Sequence, residues 1–100
     1  MSSVIGGRNP GTRDLPASLE QEIANVFAYI RHDVEAAGGS VDDIIKVTFW
    51  VQDPATQRAA LNGEWVKMFP DPAARPARHT LPLPAGSGAR VQADFTAVLA

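Results

Sequence analysis

The hydrophobic residues of this chain change their spacing at Gly38-Gly39, and that change fixes most of what the chain can fold into. Before it, Leu19, Ile23, Val26, Phe27, Ile30 and Val34 follow at steps of four, three, one, three and four. That is the spacing of one apolar stripe on an α-helix. Ser18, with Gln21 three residues on, has the form of a capping box and starts the helix. Gly38 and Gly39 supply a left-handed stop. After them, Ile45, Val47, Phe49 and Val51 alternate with Lys46, Thr48 and Trp50. This is the two-residue period of a strand, in β-branched and aromatic residues, and Trp50 suggests that its second face is also partly covered.

The rest of the chain repeats the alternation of helix and strand. Asp53 and Pro54 have the form of an N-cap and a first helical residue, opening a second helix over "DPATQRAALNGEWVKMF". Its apolar stripe is Leu61, Trp65 and Met68. Gly63 inside it costs about 1 kcal/mol relative to Ala, so a close backbone contact is expected there. A proline-rich loop leads to two closing strands, "RHTLPL" and "RVQADFTAVLA", joined by the turn "PAGSGA". Near the start, Val4 and Ile5 end a short strand, and Gly6-Gly7 and Asn9-Pro10-Gly11 read as turns. The order strand, helix, strand, helix, strand, strand predicts an α+β fold, a mixed sheet with two helices on one face. At 100 residues the chain reads as one domain, 1–100, with a core of modest size. A deep pocket in so short a chain borrows walls from a neighbouring subunit.

Composition removes several classes of function. Nine basic residues against eleven acidic ones, interspersed, give a net charge of −2. Nucleic-acid binders concentrate Lys and Arg, so that partner is unlikely here. The absence of cysteine removes thiolate nucleophiles, cysteine metal sites and disulfides. No apolar stretch reaches the length of a membrane span, and "MSSVIGGRNP" lacks the blocks of a signal peptide. A soluble cytoplasmic protein is the expectation.

Motifs narrow the field further. His32 and His79 lie far apart and outside any HExxH-like spacing, so no metal is expected. No serine sits in a G-x-S-x-G elbow. "GGRNPG" lacks both the GK[ST] ending and an immediate helix that would make it a phosphate loop. There remains "RPARHT". A planar guanidinium suits a carboxylate or phosphate held through two hydrogen bonds. Arg78 stands at the mouth of a strand behind the stiff Pro76, and such a clamp loses little freedom when its ligand arrives. Arg75, within the loop, reads as a surface or interface charge. On these residues alone, an ion pair between strands or subunits accounts for Arg78 better than a ligand does.

Four blocks in order change that balance. "AAGGSVDDIIKVTFWVQD", "LNGEWVKMFPD", "RPARHT" and "RVQADFTAVLA" resemble the Rid family of reactive intermediate deaminases, also called the YjgF or L-PSP endoribonuclease family. Its members read A-A-G, a D-D-hydrophobic-hydrophobic-K-V-T strand, a helix with N-x-x-aromatic, a P-A-R-S segment and a strand close to V-E-I-E-A-I-A. The resemblance runs from Ser3 onward. It implies a chorismate-mutase-like subunit and a homotrimer with clefts between subunits. There, 2-imino or enamine acids are hydrolysed to 2-oxo acids and ammonia without cofactor or metal. It places the substrate-carboxylate arginine on Arg78, with help from the backbone of Thr80. It puts the pocket asparagine on Asn62, and the S-G-Q element on Ile5, Gly6 and Gly7.

Three departures accompany the match. The N-terminal strand segment is shortened relative to the family, so a tyrosine usually supplied there has no counterpart. Ile5 replaces the serine of S-G-Q. Gln92 replaces the first glutamate of V-E-I-E, and a carboxamide can position water but cannot take its proton. Asp94 matches the second glutamate and shares a strand face with Gln92, about 7 Å along, either as a replacement carboxylate or as a structural ion pair. Imine deamination through Arg78, Gln92 and Asp94 is therefore one expectation. A non-catalytic protein that binds small carboxylates is the second, and RNA cleavage or translation inhibition the third.

Overall fold

The structure, a computed structural model, describes residues 4–11, 14–83 and 89–99. Six main elements follow in order: β1 (Ile5–Gly6), α1 (Leu19–Ala36), β2 (Ile44–Val51), α2 (Pro54–Met68), β3 (Ala77–Pro82) and β4 (Val91–Ala97). The sheet order is β1-β4-β2-β3, with β2 and β3 parallel and β4 antiparallel to both of its neighbours. This is the expected mixed α+β sheet. Phe49 of β2 stacks on Phe27 of α1 at 5.4 Å and meets Trp65 of α2 edge-on at 6.0 Å, so both helices cover the same face. The core lies between them and the sheet.

The α1 stripe is buried as its spacing requires: Ile23, Val26, Phe27, Ile30 and Val34 are inside, and Leu19 packs at the margin. Gly38 ends the helix at φ +93°. The cap differs in detail from the sequence pattern. Ser18 Oγ accepts from the Gln21 N–H at 3.1 Å, but the Gln21 amide turns away and donates to Asn25 Oδ1 at 2.9 Å. The reciprocal box forms instead around Ser40 and Asp43, at the turn leading into β2. At α2, Asp53 occupies the N-cap without a side-chain cap bond, and its N–H donates to Gln57 Oε1 at 3.0 Å.

Four other expectations are corrected. A β-bulge between Ile44 and Lys46 shifts the phase of β2, so Ile44 is buried while Ile45 is 52% exposed. An extra residue on one strand reverses the facing of everything before it, which alternation alone cannot reveal. Gly63 is exposed, and a Cβ there would meet nothing within 4 Å, so no close backbone contact explains it. Gly6 belongs to β1 rather than to a turn, and Gly7 is buried against α1, where a Cβ would fall 2.2 Å from the Glu22 carbonyl oxygen. The two closing strands are not hydrogen-bonded neighbours. The β2-α2-β3 crossover places β3 at one edge, and β4 inserts on the other side of β2. The predicted turn at 84–89 lies outside the described residues except for Ala89.

One buried ion pair fastens β4 to α1. Glu22 is fully buried, and its carboxylate accepts from Arg90 Nε at 2.7 Å, the Arg90 N–H at 2.9 Å and the Val91 N–H at 3.3 Å. Arg90 also donates to the Pro16 and Ala17 carbonyl oxygens, tying down the approach to α1. A buried carboxylate with an ionic partner and two backbone donors is the arrangement that low-polarity surroundings tolerate.

Candidate functional site

Cross-strand pairing divides the expected site residues between the two faces of the sheet. Arg78 pairs with Val47 and Thr80 with Phe49, so both point to the helix-covered side of the edge strand β3. The Arg78 guanidinium carbon lies 5.2 Å from the Trp65 ring centroid and 5.7 Å from that of Phe49. This is cation–π range, and it fixes the direction of the fork. Burial, and then the charge of Arg58 on α2, push the Arg78 pKa below its ordinary value. The group still stays protonated at neutral pH. Among the described residues no carboxylate pairs with Arg78 or Arg58. The inter-strand ion pair expected of Arg78 does not form among the described residues.

Asn62 is exposed on α2, one turn beyond Arg58 and three residues before Trp65. As an edge strand, β3 also leaves one row of its backbone donors and acceptors outside the sheet, where Thr80 lies. Arg75 differs from its sequence reading. It is half-buried, and its Nε donates to the Phe69 carbonyl oxygen at 2.8 Å, satisfying the end of α2. The two arginines of "RPARHT" therefore differ in their surroundings, one bonded to the backbone at the end of α2 and one packed on aromatic rings.

Gln92 lies on the opposite face. It pairs with Gly6 on one side and Trp50 on the other, and it lines a cavity of about 590 Å³ with Gly6, Arg8, Asn9 and Tyr29. Hydrogen bonds hold that wall together. Tyr29 Oη donates to the Arg8 carbonyl oxygen at 2.7 Å, and Asn25 Nδ2 donates to the Gly7 carbonyl oxygen and to Asn9 Oδ1, both at 3.0 Å. Ile5 turns into the core instead. Asp94, opposite Thr48, shares the face of Gln92 and is half-buried, with no basic partner among the described residues. The structural ion pair expected of it within the sheet does not form among the described residues.

A single copy thus keeps the expected site residues in two groups that do not meet. Arg78, Thr80 and Asn62 lie toward the β3 edge on the helix side, while Gln92 and Asp94 face the open side two strands away and Gly6 lies on β1, three strands away. The strands alone separate them by roughly 10 Å. Sequence reasoning missed Arg58, Tyr29 and Arg8. Arg58 had a usable signal, since it precedes Asn62 by four residues and so lies on the same side of α2. Tyr29 and Arg8 had none, because a loop and a helix meet there only in the folded chain. Among the described residues no three metal-ligating side chains gather, and no helix is long and apolar enough to cross a membrane.

Comparisons with known proteins agree with this architecture. Among curated proteins, none matches the sequence. RidA from the Antarctic bacterium Psychrobacter sp. PAMC 21119 superposes with a TM-score of 0.86 at 28% identity, over 97% of this chain and 77% of that one. The YjgF gene product of E. coli gives 0.83 at 27% identity, over 97% and 77%. Yeast Mmf1, at 21% identity and a TM-score of 0.84 over 96% of this chain and 75% of that one, shares the fold. The sequence pattern described as endoribonuclease L-PSP matches residues 4–98. With nearly its whole length matched by that pattern, the chain belongs to the endoribonuclease L-PSP family, the group that includes YjgF and RidA.

Proposed function

We propose that this protein hydrolyses small 2-imino acids, or their enamine tautomers, to 2-oxo acids and ammonia in a cleft between subunits of a homotrimer. The observation that carries the reading is Arg78: a half-buried guanidinium held against Trp65 and Phe49, with no carboxylate among the described residues to neutralise it. A cation placed this way awaits an anion from outside, and its fork fits a substrate carboxylate. Thr80 adds backbone contacts and Asn62 a side-chain amide. The imine carbon next to that carboxylate then accepts the oxygen of water. The proton released goes to the nitrogen, and the carbinolamine collapses to the oxo acid as ammonia leaves. The second half-site, with Gly6, Gln92 and Asp94, comes from a neighbouring copy. Gln92 orients the water, and Asp94 is the carboxylate available to take its proton.

The test is ammonia release from freshly generated 2-iminobutanoate, measured against the spontaneous rate. Wild type accelerates it and Arg78→Ala does not. Equal inertness of the two proteins would sink the proposal. A second reading is favoured by Gln92, whose amide cannot act as a base: the cleft binds small carboxylates without turnover. Saturable binding of 2-oxobutanoate without imine hydrolysis supports that reading, and Gln92→Glu then separates a lost catalyst from a pure binder by restoring turnover. RNA cleavage fits the chain less well, since its charges are mixed and its balance is acidic.

A further inference from the structure

The β3 edge carries a second cation that imine hydrolysis leaves unused. The chain runs along β2, returns through α2 and runs along β3 parallel to β2, so α2 and β3 point in opposite directions. Positions along the two elements therefore climb in opposite order. Arg78, Thr80 and Pro82 succeed one another on the strand while Trp65, Asn62 and Arg58 do so on the helix. The contact of Arg78 with the Trp65 ring fixes one end of this correspondence. Arg58 stands two helical turns away, roughly 10 Å along the axis. It is exposed, and it is close enough for its charge to bear on Arg78.

Two guanidiniums then stand along the edge where α2 meets β3, with Thr80 and Asn62 between them in the order of their elements and no carboxylate of the described residues paired to either. Like charges so placed repel in the empty protein, and an anion that reaches both gains a favourable contact at each. A monocarboxylic ligand pairs with Arg78 and leaves Arg58 without a ligand group. We propose that this edge selects a dianionic substrate, a 2-imino acid whose short side chain ends in a second carboxylate held by Arg58. The chemistry rests on the imine reading, whereas the binding does not. Water adds to the imine carbon and ammonia leaves as before, and the second carboxylate passes through unchanged.

The experiment compares oxaloacetate with 2-oxobutanoate as stable product ligands, by calorimetry, for wild type and Arg58→Gln. Wild type is expected to bind oxaloacetate roughly tenfold more tightly, the scale of one charge-assisted contact. In Arg58→Gln that ratio falls toward one, while Arg58→Lys, verified as folded by circular dichroism, keeps part of it. An unchanged ratio in Arg58→Gln, or a wild type that prefers the monoacid, overturns the proposal. In parallel, the imines of aspartate and 2-aminobutanoate, generated by an amino acid oxidase, are assayed for hydrolysis. If neither is hydrolysed but the affinity ratio depends on Arg58, the imine reading falls and the dianion site stands. If both are hydrolysed with a ratio indifferent to Arg58→Gln, the reverse holds.

Discussion

Glu22 and Arg78 are both charged residues packed among apolar neighbours, and they show how differently one chain can treat such groups. Glu22 is sealed from water and supplied with every partner it needs, from Arg90 and two backbone N–H groups. Removing it as Glu22→Ala strands the Arg90 charge and two donors and opens a cavity. The expected loss is about 3 kcal/mol, read from the midpoint of urea unfolding. Glu22→Gln, which keeps an acceptor oxygen, loses less. Arg78 has the opposite character: its packing is aromatic and its charge unanswered among the described residues. The sequence held a hint of Arg78 in the stiffness of "RPAR" and in its family resemblance. It held none of the Glu22–Arg90 pair, whose members are separated by 68 residues and joined only by the path of β4.

Among the elements, α1 was the most legible, because six spaced apolar residues between a serine and two glycines admit few other structures. The second strand was readable in existence and misread in phase, since the bulge at Ile44/Lys46 adds a residue that no spacing rule marks. The relation of β3 to β4 was misread for a different reason: a short connection suggests neighbours, whereas the crossover through α2 had already claimed one side of β2. In α2, Gly63 is a weakness with room around it. Gly63→Ala is expected to raise the melting temperature by roughly 3–6 °C, the effect of up to ~1 kcal/mol of helix propensity in a domain this size. No rise in a calorimetric scan would mean that the position is constrained by something outside the chain.

Across the whole molecule, the sheet has one face under helices and one without. The open face carries Gln92, Asp94 and Thr96 beside Lys46, Thr48 and Trp50, and His79 beside Leu81. Leu81 is 43% exposed, and the expected site residues lie on opposite faces. Sequence alone named these candidates but could not show that one copy keeps them apart, because facing depends on register. A homotrimer is the assembly expected to join them. Analytical ultracentrifugation should give three times the 10.7 kDa chain mass, with a melting temperature that rises with protein concentration. A monomer with full activity would refute the shared cleft.

The place of β4 has a consequence for how the chain reaches this state. The last of the described strands in chain order, β4, is an inner strand of the sheet, pairing with residues 5 and 6 on one side and with β2 on the other. Until it emerges, β1 has no partner and β2 presents a bare flank. Contacts spanning almost the full sequence make for slow closure. They also leave β2, with Val47, Phe49 and Val51, uncovered on that side for as long as synthesis lasts. The chain cannot complete its sheet strand by strand as it is made, and its folding awaits the synthesis of β4.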